Sequence, residues 1–273
     1  MQRSIVLLFG LIAYVVFLPT FLYLIAFVGN LQVSALAGMV PALEQLVPYS
    51  ISFGRDATPM VPALMINIAL IMLFGLQHSI MARSGFKDWL KRTLPAAAER
   101  SVYVLVSSLA LILLFWQWRA LPTVIWSVES QPLLGLLWTV FAAGFGMVFV
   151  ATWLIDHFEL FGLRQVWSRF RERPFQPPRF VTPGIYRIVR HPLYLGFLLA
   201  FWATPLMTVG HLVFALGMTA YILIGVKLEE RDLERYLGAN YRRYQQQVPQ
   251  LVPLPGKAYR ESGVSEGISA GSH

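Results

Sequence analysis

Residues 188–202, IVRHPLYLGFLLAFW, set a guanidinium (Arg190) and an imidazole (His191) directly before Pro192 and an almost wholly apolar run. Further along, LEERDLERYLGANYRRYQQQ opens on two adjacent carboxylates, Glu229 and Glu230. GLQHSIMAR contributes His78, and LIDHFELFGLRQ contributes Asp156, His157 and Glu159. These groups have defined uses. An arginine forks onto a carboxylate. Imidazole takes and gives protons near neutral pH. Carboxylates hold an ammonium or accept hydroxyl protons. Aromatic residues lie close by in sequence: Trp153, Phe158, Tyr186, Tyr194 and Trp202. Their faces suit a planar heterocycle or a cation.

The elements that position these groups are apolar. Of 273 residues, 56% are hydrophobic and 13% charged, with mean hydropathy +0.58. Soluble domains carry roughly a quarter charged residues, so the composition predicts an all-α, polytopic membrane helix bundle. The chain has no cysteine, which excludes disulfides, thiolate nucleophiles and cysteine zinc sites. The histidines form no compact metal-ligand motif, and no metal is expected. No GxGxxG follows a strand, so a Rossmann nucleotide domain is not available.

A span takes about 20 mostly apolar residues. Candidates are 5–28, 62–82, 101–121 and 133–155, then 188–228, which is too long for one straight span. Ala203-Thr204-Pro205 and Val209-Gly210-His211 suggest a turn that makes it a hairpin, with a shallow re-entrant pair as the alternative. Six spans result. The first apolar run exceeds the roughly 7–15 residues of a signal sequence core and reads as a retained helix. Apolar spacing over 228–247 predicts an amphipathic C-terminal helix interrupted near Gly238. Residues 1–260 read as a single domain, and 261–273 as a disordered polar tail.

Loop charges alternate. Residues 29–61 hold Arg55 alone, and 122–132 none. The loop after the second span has Arg83, Lys87, Lys91, Arg92 and Arg100; the one after the fourth has Arg164, Arg169, Arg171, Arg173, Arg179, Arg187 and Arg190. The positive-inside rule then puts both termini in the cytoplasm of a bacterial inner membrane. It also accounts for the net charge of +8 through topology and anionic lipid rather than nucleic acid. No protein partner is evident.

This topology sends His78, Asp156, His157, Arg190, His191, Glu229 and Glu230 to one membrane face from four helices, and only His211 to the other. Each has a plainer reading as interface anchor, carbonyl partner or solvated face. Their convergence favours a site, because carboxylates at a cytoplasmic helix end oppose the helix dipole and the anionic lipid. Amine, carboxylate, ribose, adenine and sulfonium together match this inventory, and S-adenosyl-L-methionine carries all five.

GIYRIVRHPLYLG followed by LEERDLERYLGANYRRYQQQVPQLVP resembles the C-terminal half of the isoprenylcysteine carboxyl methyltransferase superfamily, including the phospholipid methyltransferases and NnrU-like membrane proteins. The resemblance implies cofactor contacts at Arg190, His191, Pro192, Tyr194, Glu229 and Glu230, within about 180–255, and Tyr186 is expected to join them as a nearby aromatic ring. GLQHSIMAR, ERSVYVLVSSLALILLFWQWR and LIDHFELFGLRQVW are similar to the bacterial methanethiol S-methyltransferases. That implies in-line methyl transfer to methanethiol. A prenylcysteine carboxylate, a phospholipid amine or a nonenzymatic NnrU-like role are the alternatives. For thiol chemistry the expected catalytic groups are His78 and His157 as bases with Arg190 or His191 as the cationic neighbour, and Asp156 is considered as an orienting group. Phe74, Trp153 and Phe158 are the expected lining of a small substrate pocket.

Overall fold

The computed structural model describes residues 2–259 except 35–37, 39, 41, 55–57 and 177–180. Arg55, Arg179 and the tail 261–273 therefore lie outside the described residues. Apolar runs become helices because a backbone out of water must satisfy its hydrogen bonds within its own segment. In order these are α1 (Arg3–Val28), the short α2 (Ala42–Leu46), α3 (Met60–Ala82), α4 (Ser84–Thr93) and α5 (Glu99–Gln117). After a strand β1 (Val124–Ser127) come α6 (Gln131–Ile155), α7 (His157–Leu160), α8 (Leu163–Phe170) and α9 (Pro192–Trp202). Strand β2 (Leu206–Thr208) leads into α10 (Val209–Leu237), and α11 (Ala239–Gln247) ends the helical order.

Among the described residues, five helices are long and apolar enough to cross a membrane: α1, α3, α5 with its short 3-10 lead-in, α6 and α10. Their outward faces are apolar. On α1, Leu8, Leu11, Val15, Leu18 and Leu22 are exposed at helical spacing, a stripe suited to hydrocarbon. The inward faces meet in one core that includes Phe27, Leu114, Trp118, Phe145, Phe201 and Phe214.

The hairpin departs from its expected form. Its first arm is helical for only 11 residues, α9, about 16 Å of rise. Its second arm is 29 residues long, roughly 43 Å, which exceeds a hydrocarbon core of about 30 Å. The turn lies at Ala203–Thr208, and Val209-Gly210-His211 open α10 instead, with Thr208 capping the His211 N–H at 3.2 Å. Residues 228–237, expected to begin a separate surface helix, continue the last span without a break. The backbone turns at Gly238, φ +57°, before α11. The third span also stops earlier than expected, at Gln117. Trp118 leaves the helix, and its indole N–H donates to Ile51 O at 3.0 Å.

β1 and β2 pair antiparallel, Val124 opposite Thr208 and Ser127 opposite Leu206, so the turn of the hairpin lies level with the α5–α6 connection. Asn30 ties the 47–54 loop to the same end. It accepts from Ser50 Oγ at 2.8 Å and donates to Ser52 Oγ at 3.2 Å, and Ser52 reaches Thr208 at 3.0 Å.

The most extensive helix pair is α6 with α9. It is possible because Gly144 and Gly196 face one another: a Cβ at Gly196 would sit 2.6 Å from Gly144 O, and one at Gly144 would sit 2.7 Å from Gly196 O. Both obstacles are backbone, which cannot rotate aside. Gly196→Ala is therefore expected to cost about 1–3 kcal/mol by overpacking, read as a lower melting temperature in detergent, with Gly225→Ala, where a Cβ meets open space, as the control.

Candidate active site

Arg190 and His191 precede α9 in a non-helical stretch. Their N–H groups donate to Pro249 O and Gln250 O at 2.9 and 3.1 Å. The C-terminal segment is thereby laid across the start of α9. The Arg190 guanidinium reaches α10: Nε donates to Glu230 Oε1 at 2.7 Å, and Nη1 donates to the carbonyls of Gln245 and Val248. Those carbonyls end α11, where a cation is favoured. His191 Nε2 reaches the same Glu230 oxygen at 2.9 Å, so it carries a proton to donate. Gln250 Nε2 donates to Glu230 Oε2 at 2.9 Å. Glu230 is thus satisfied on both oxygens, and its side chain is 11% exposed against 10% for Arg190.

Glu229, one residue earlier, turns to a different face of α10 and is exposed. The Tyr194 hydroxyl donates to its Oε2 at 2.8 Å. Tyr103, Tyr186 and Tyr221 all lie within electrostatic reach of its charge. Burial, followed by the Glu229 charge, pushes the Tyr186 phenol up, so Tyr186 stays protonated and donates to Ala151 O at 3.4 Å.

His78 joins this group. Helix α3 runs on to Ala82, so His78 lies a turn inside its end. Its Nε2 is 2.6 Å from Tyr103 Oη and its Nδ1 is 3.1 Å from Ser107 Oγ, both on α5. Phe74 is stacked on the imidazole, centroids 5.3 Å apart, and Tyr221 stands edge-on at 6.1 Å. Tyr103 therefore links the imidazole to the surroundings of Glu229.

His157 forms a separate group. Thr152 Oγ1 donates to Phe149 O at 2.8 Å, which leaves it an acceptor toward His157 Nδ1 at 3.0 Å. Nδ1 then carries the proton, and Nε2 accepts from the Tyr14 hydroxyl at 2.8 Å. Trp153 stacks on the ring at 4.8 Å and Phe158 meets it edge-on at 5.6 Å. Burial lowers the His157 pKa, against an opposing pull from Asp156. A histidine depressed below its unfolded value of about 6.5 is held neutral, so its contribution to stability is present above that pH and lost on acidification. Melting temperature is expected to fall less between neutral pH and pH of about 5 in His157→Gln than in the parent.

Several expectations need correction. Asp156 does not orient a histidine; it caps α7 through the Glu159 N–H at 3.1 Å and pairs with Arg164. The three residues expected to line one pocket divide between groups, Phe74 with His78, and Trp153 and Phe158 with His157. Trp202 ends α9 and donates to Thr219 at 2.9 Å, a helix length away from His191. Pro192 opens α9, where its missing N–H costs nothing. The partners Tyr14, Tyr103, Tyr221, Gln245 and Gln250 were not anticipated. Tyr103 and Ser107 did offer a signal, four residues apart on one helical face. Among the described residues no three His, Asp or Glu side chains form a metal-ligand set. A cavity of about 350 Å³ lies at the opposite end of the bundle, lined by Ser52, Met60, Leu121, Thr123 and Val209 among others, with none of these groups in its lining.

The fold and the site define an integral membrane helix bundle with the groups around His78, His157 and Arg190 at one end of it. Residues 66–254 match the family model described as NnrU protein. The chain belongs to the NnrU family. It is 49% identical over 251 residues to Methanethiol S-methyltransferase 1 of Bradyrhizobium diazoefficiens, covering 92% of this chain and 83% of that protein. It is 46% identical to Methanethiol S-methyltransferase of Mycobacterium tuberculosis over 93% of this chain and 98% of that one. A more distant relative is Nurim of Bos taurus, 30% identical over 69% of this chain and 74% of its own. No solved structure matches the chain.

Proposed function

We propose that the protein methylates methanethiol to dimethyl sulfide, with S-adenosyl-L-methionine as donor, at the cytoplasmic face of a bacterial inner membrane in which both termini are cytoplasmic. One observation carries the reading: an exposed carboxylate, Glu229, stands among Tyr103, Tyr194 and Tyr221 beside a buried carboxylate already fully bonded. The names of relatives 46% and 49% identical over nearly the whole chain support the substrate. The donor set fits the cofactor. An exposed carboxylate accepts from an ammonium or ribose hydroxyls, and phenol rings face a cation or a purine.

The cofactor supplies an electrophilic methyl carbon on a sulfonium. The chain's own residues do the rest. Arg190, His191 and Glu230 lock α9, α10 and the C-terminal segment together, which fixes the direction of Glu229 and Tyr194. Such positioning can supply up to roughly 7–11 kcal/mol of the barrier. A thiol near pKa about 8.5 or above is mostly protonated at neutral pH, so a base is useful. His78 is that base. His157, whose Nε2 already accepts from Tyr14, acts as a positioning group for the α6–α7 corner. Phe74 walls the thiol site, while Trp153 and Phe158, both exposed, offer an apolar approach from lipid.

The test is headspace gas chromatography over purified protein in detergent, supplied with methanethiol and S-adenosyl-L-methionine. Dimethyl sulfide should accumulate in proportion to protein. A folded protein that yields none with both compounds present contradicts the reading.

A further inference from the structure

We propose that Tyr103 is a catalytic proton-transfer residue: its hydroxyl takes the thiol proton while passing its own to His78 Nε2. The inference rests on the methyl-transfer reading above, which uses the Tyr103 ring only as part of the wall around Glu229, and gives its hydroxyl a chemical role.

The geometry is specific. Tyr103 Oη is 2.6 Å from His78 Nε2, a short contact. For Nε2 to accept, Nδ1 must hold the ring proton, and Ser107 Oγ at 3.1 Å is placed to take it. Gln77 Nε2 also points to Ser107 Oγ, at 3.4 Å, and the hydroxyl oxygen has lone pairs for both donors. Tyr103 and Ser107 are one helical turn apart on α5, so a single face of that helix fixes both ring nitrogens. Phe74 and Tyr221 hold the imidazole plane from the side. Tyr103 and Tyr221 both lie within electrostatic reach of Glu229, and of the two it is Tyr103 whose hydroxyl is hydrogen-bonded to the imidazole. Both ring nitrogens of His78 are occupied, Nε2 by Tyr103 and Nδ1 by Ser107. A proton arriving from a thiol beside Glu229 therefore meets the phenol first and the imidazole second.

The step balances without another reactant. The S–H proton goes to Tyr103 Oη as the phenol proton goes to His78 Nε2, so the phenol is regenerated and the imidazole becomes imidazolium. The sulfur lone pair so freed forms the new bond to the methyl carbon. The old carbon–sulfur bond breaks and its electron pair stays with the donor sulfur, now a neutral thioether. The imidazolium proton is returned to water before the next cycle.

Tyr103→Phe keeps the ring and removes the hydroxyl. Turnover of methanethiol should fall by about 10²–10⁴-fold, while calorimetric affinity for S-adenosyl-L-methionine and the melting temperature stay near the parent's. Replacing methanethiol by the more acidic trifluoroethanethiol at the same pH should restore much of the variant's rate and change the parent's little. A readout without turnover uses S-adenosylhomocysteine in place of the donor: ultraviolet absorbance of thiolate should appear when methanethiol meets the parent and be absent in Tyr103→Phe. Undiminished turnover in the variant overturns the proposal, as does an equal loss for every thiol. A steep dependence on thiol acidity in the parent itself overturns it even if the variant fails to fold. A parent that methylates no thiol defeats the functional reading first, whereas an active parent with an equally active variant defeats only the role of Tyr103.

Discussion

Glu230→Ala is expected to destabilise the folded protein by about 3–5 kcal/mol, the usual result of removing one partner from a buried ion pair. The loss has a definite origin. Arg190, 10% exposed, would keep its charge and two carbonyl acceptors but lose its carboxylate. His191 Nε2 and Gln250 Nε2 would lose their acceptor in the same step. Because Pro249 and Gln250 also hold the backbone N–H groups of Arg190 and His191, the C-terminal segment from α11 onward should detach first. Limited proteolysis should cut it at temperatures well below the melting of the spans. Arg190→Met combined with Glu230→Leu should recover much of the loss, since replacing both members of a buried pair with apolar groups is often nearly neutral. Equal proteolysis of parent and Glu230→Ala would mean that the pair does not hold the segment.

Glu229→Gln should behave in the opposite way. The side chain is exposed and has Tyr194 as its hydrogen-bond donor, so melting should change little. A charged acceptor is worth about 1.5–3 kcal/mol per ligand hydrogen bond, which is roughly 10- to 150-fold in affinity. Donor affinity should fall by that factor or more, and kcat/KM for dimethyl sulfide formation should fall with it. The adjacent carboxylates thus separate by experiment: one change costs stability, the other binding. A Glu229→Gln protein with parental donor affinity would remove this carboxylate from the site.

The spans were legible because hydropathy reports what must leave water. α1, α3 and α6 begin and end within two residues of the expected limits. Hydropathy failed where the chain leaves a helix without leaving the apolar region. α9 does end at the turn that Ala203-Thr204-Pro205 suggested; hydropathy missed its late start, because apolar Ile188 and Val189 precede a non-helical stretch in which the Arg190 and His191 N–H groups donate to Pro249 O and Gln250 O. The continuation of α10 through Leu237 was hidden for the converse reason. Charged residues at 227–235 read as surface, yet Leu233 and Leu237 pack on Tyr241 and Tyr244, and no helix breaker intervenes before Gly238. Arg190, His191, Glu229 and Glu230 stood out because ionisable groups beside apolar runs need partners. Their division of work did not, because Glu230 is saturated in part by Gln245 and Gln250, and Arg190 in part by the carbonyls of Gln245 and Val248, all from a distant segment. Tyr103 and Tyr14 were hidden by being ordinary: tyrosine near a membrane surface is expected there as an anchor.

The most direct test of the account locates the donor on the protein. Methyl-labelled S-adenosyl-L-methionine is crosslinked by ultraviolet light to the purified protein in detergent, and labelled peptides are identified by mass spectrometry. Label is expected near Tyr194, Tyr103 or Tyr221, competed away by S-adenosylhomocysteine and lost in Glu229→Gln. Competable label confined to the opposite cavity, on peptides containing Ser52, Met60 or Thr123, would contradict it.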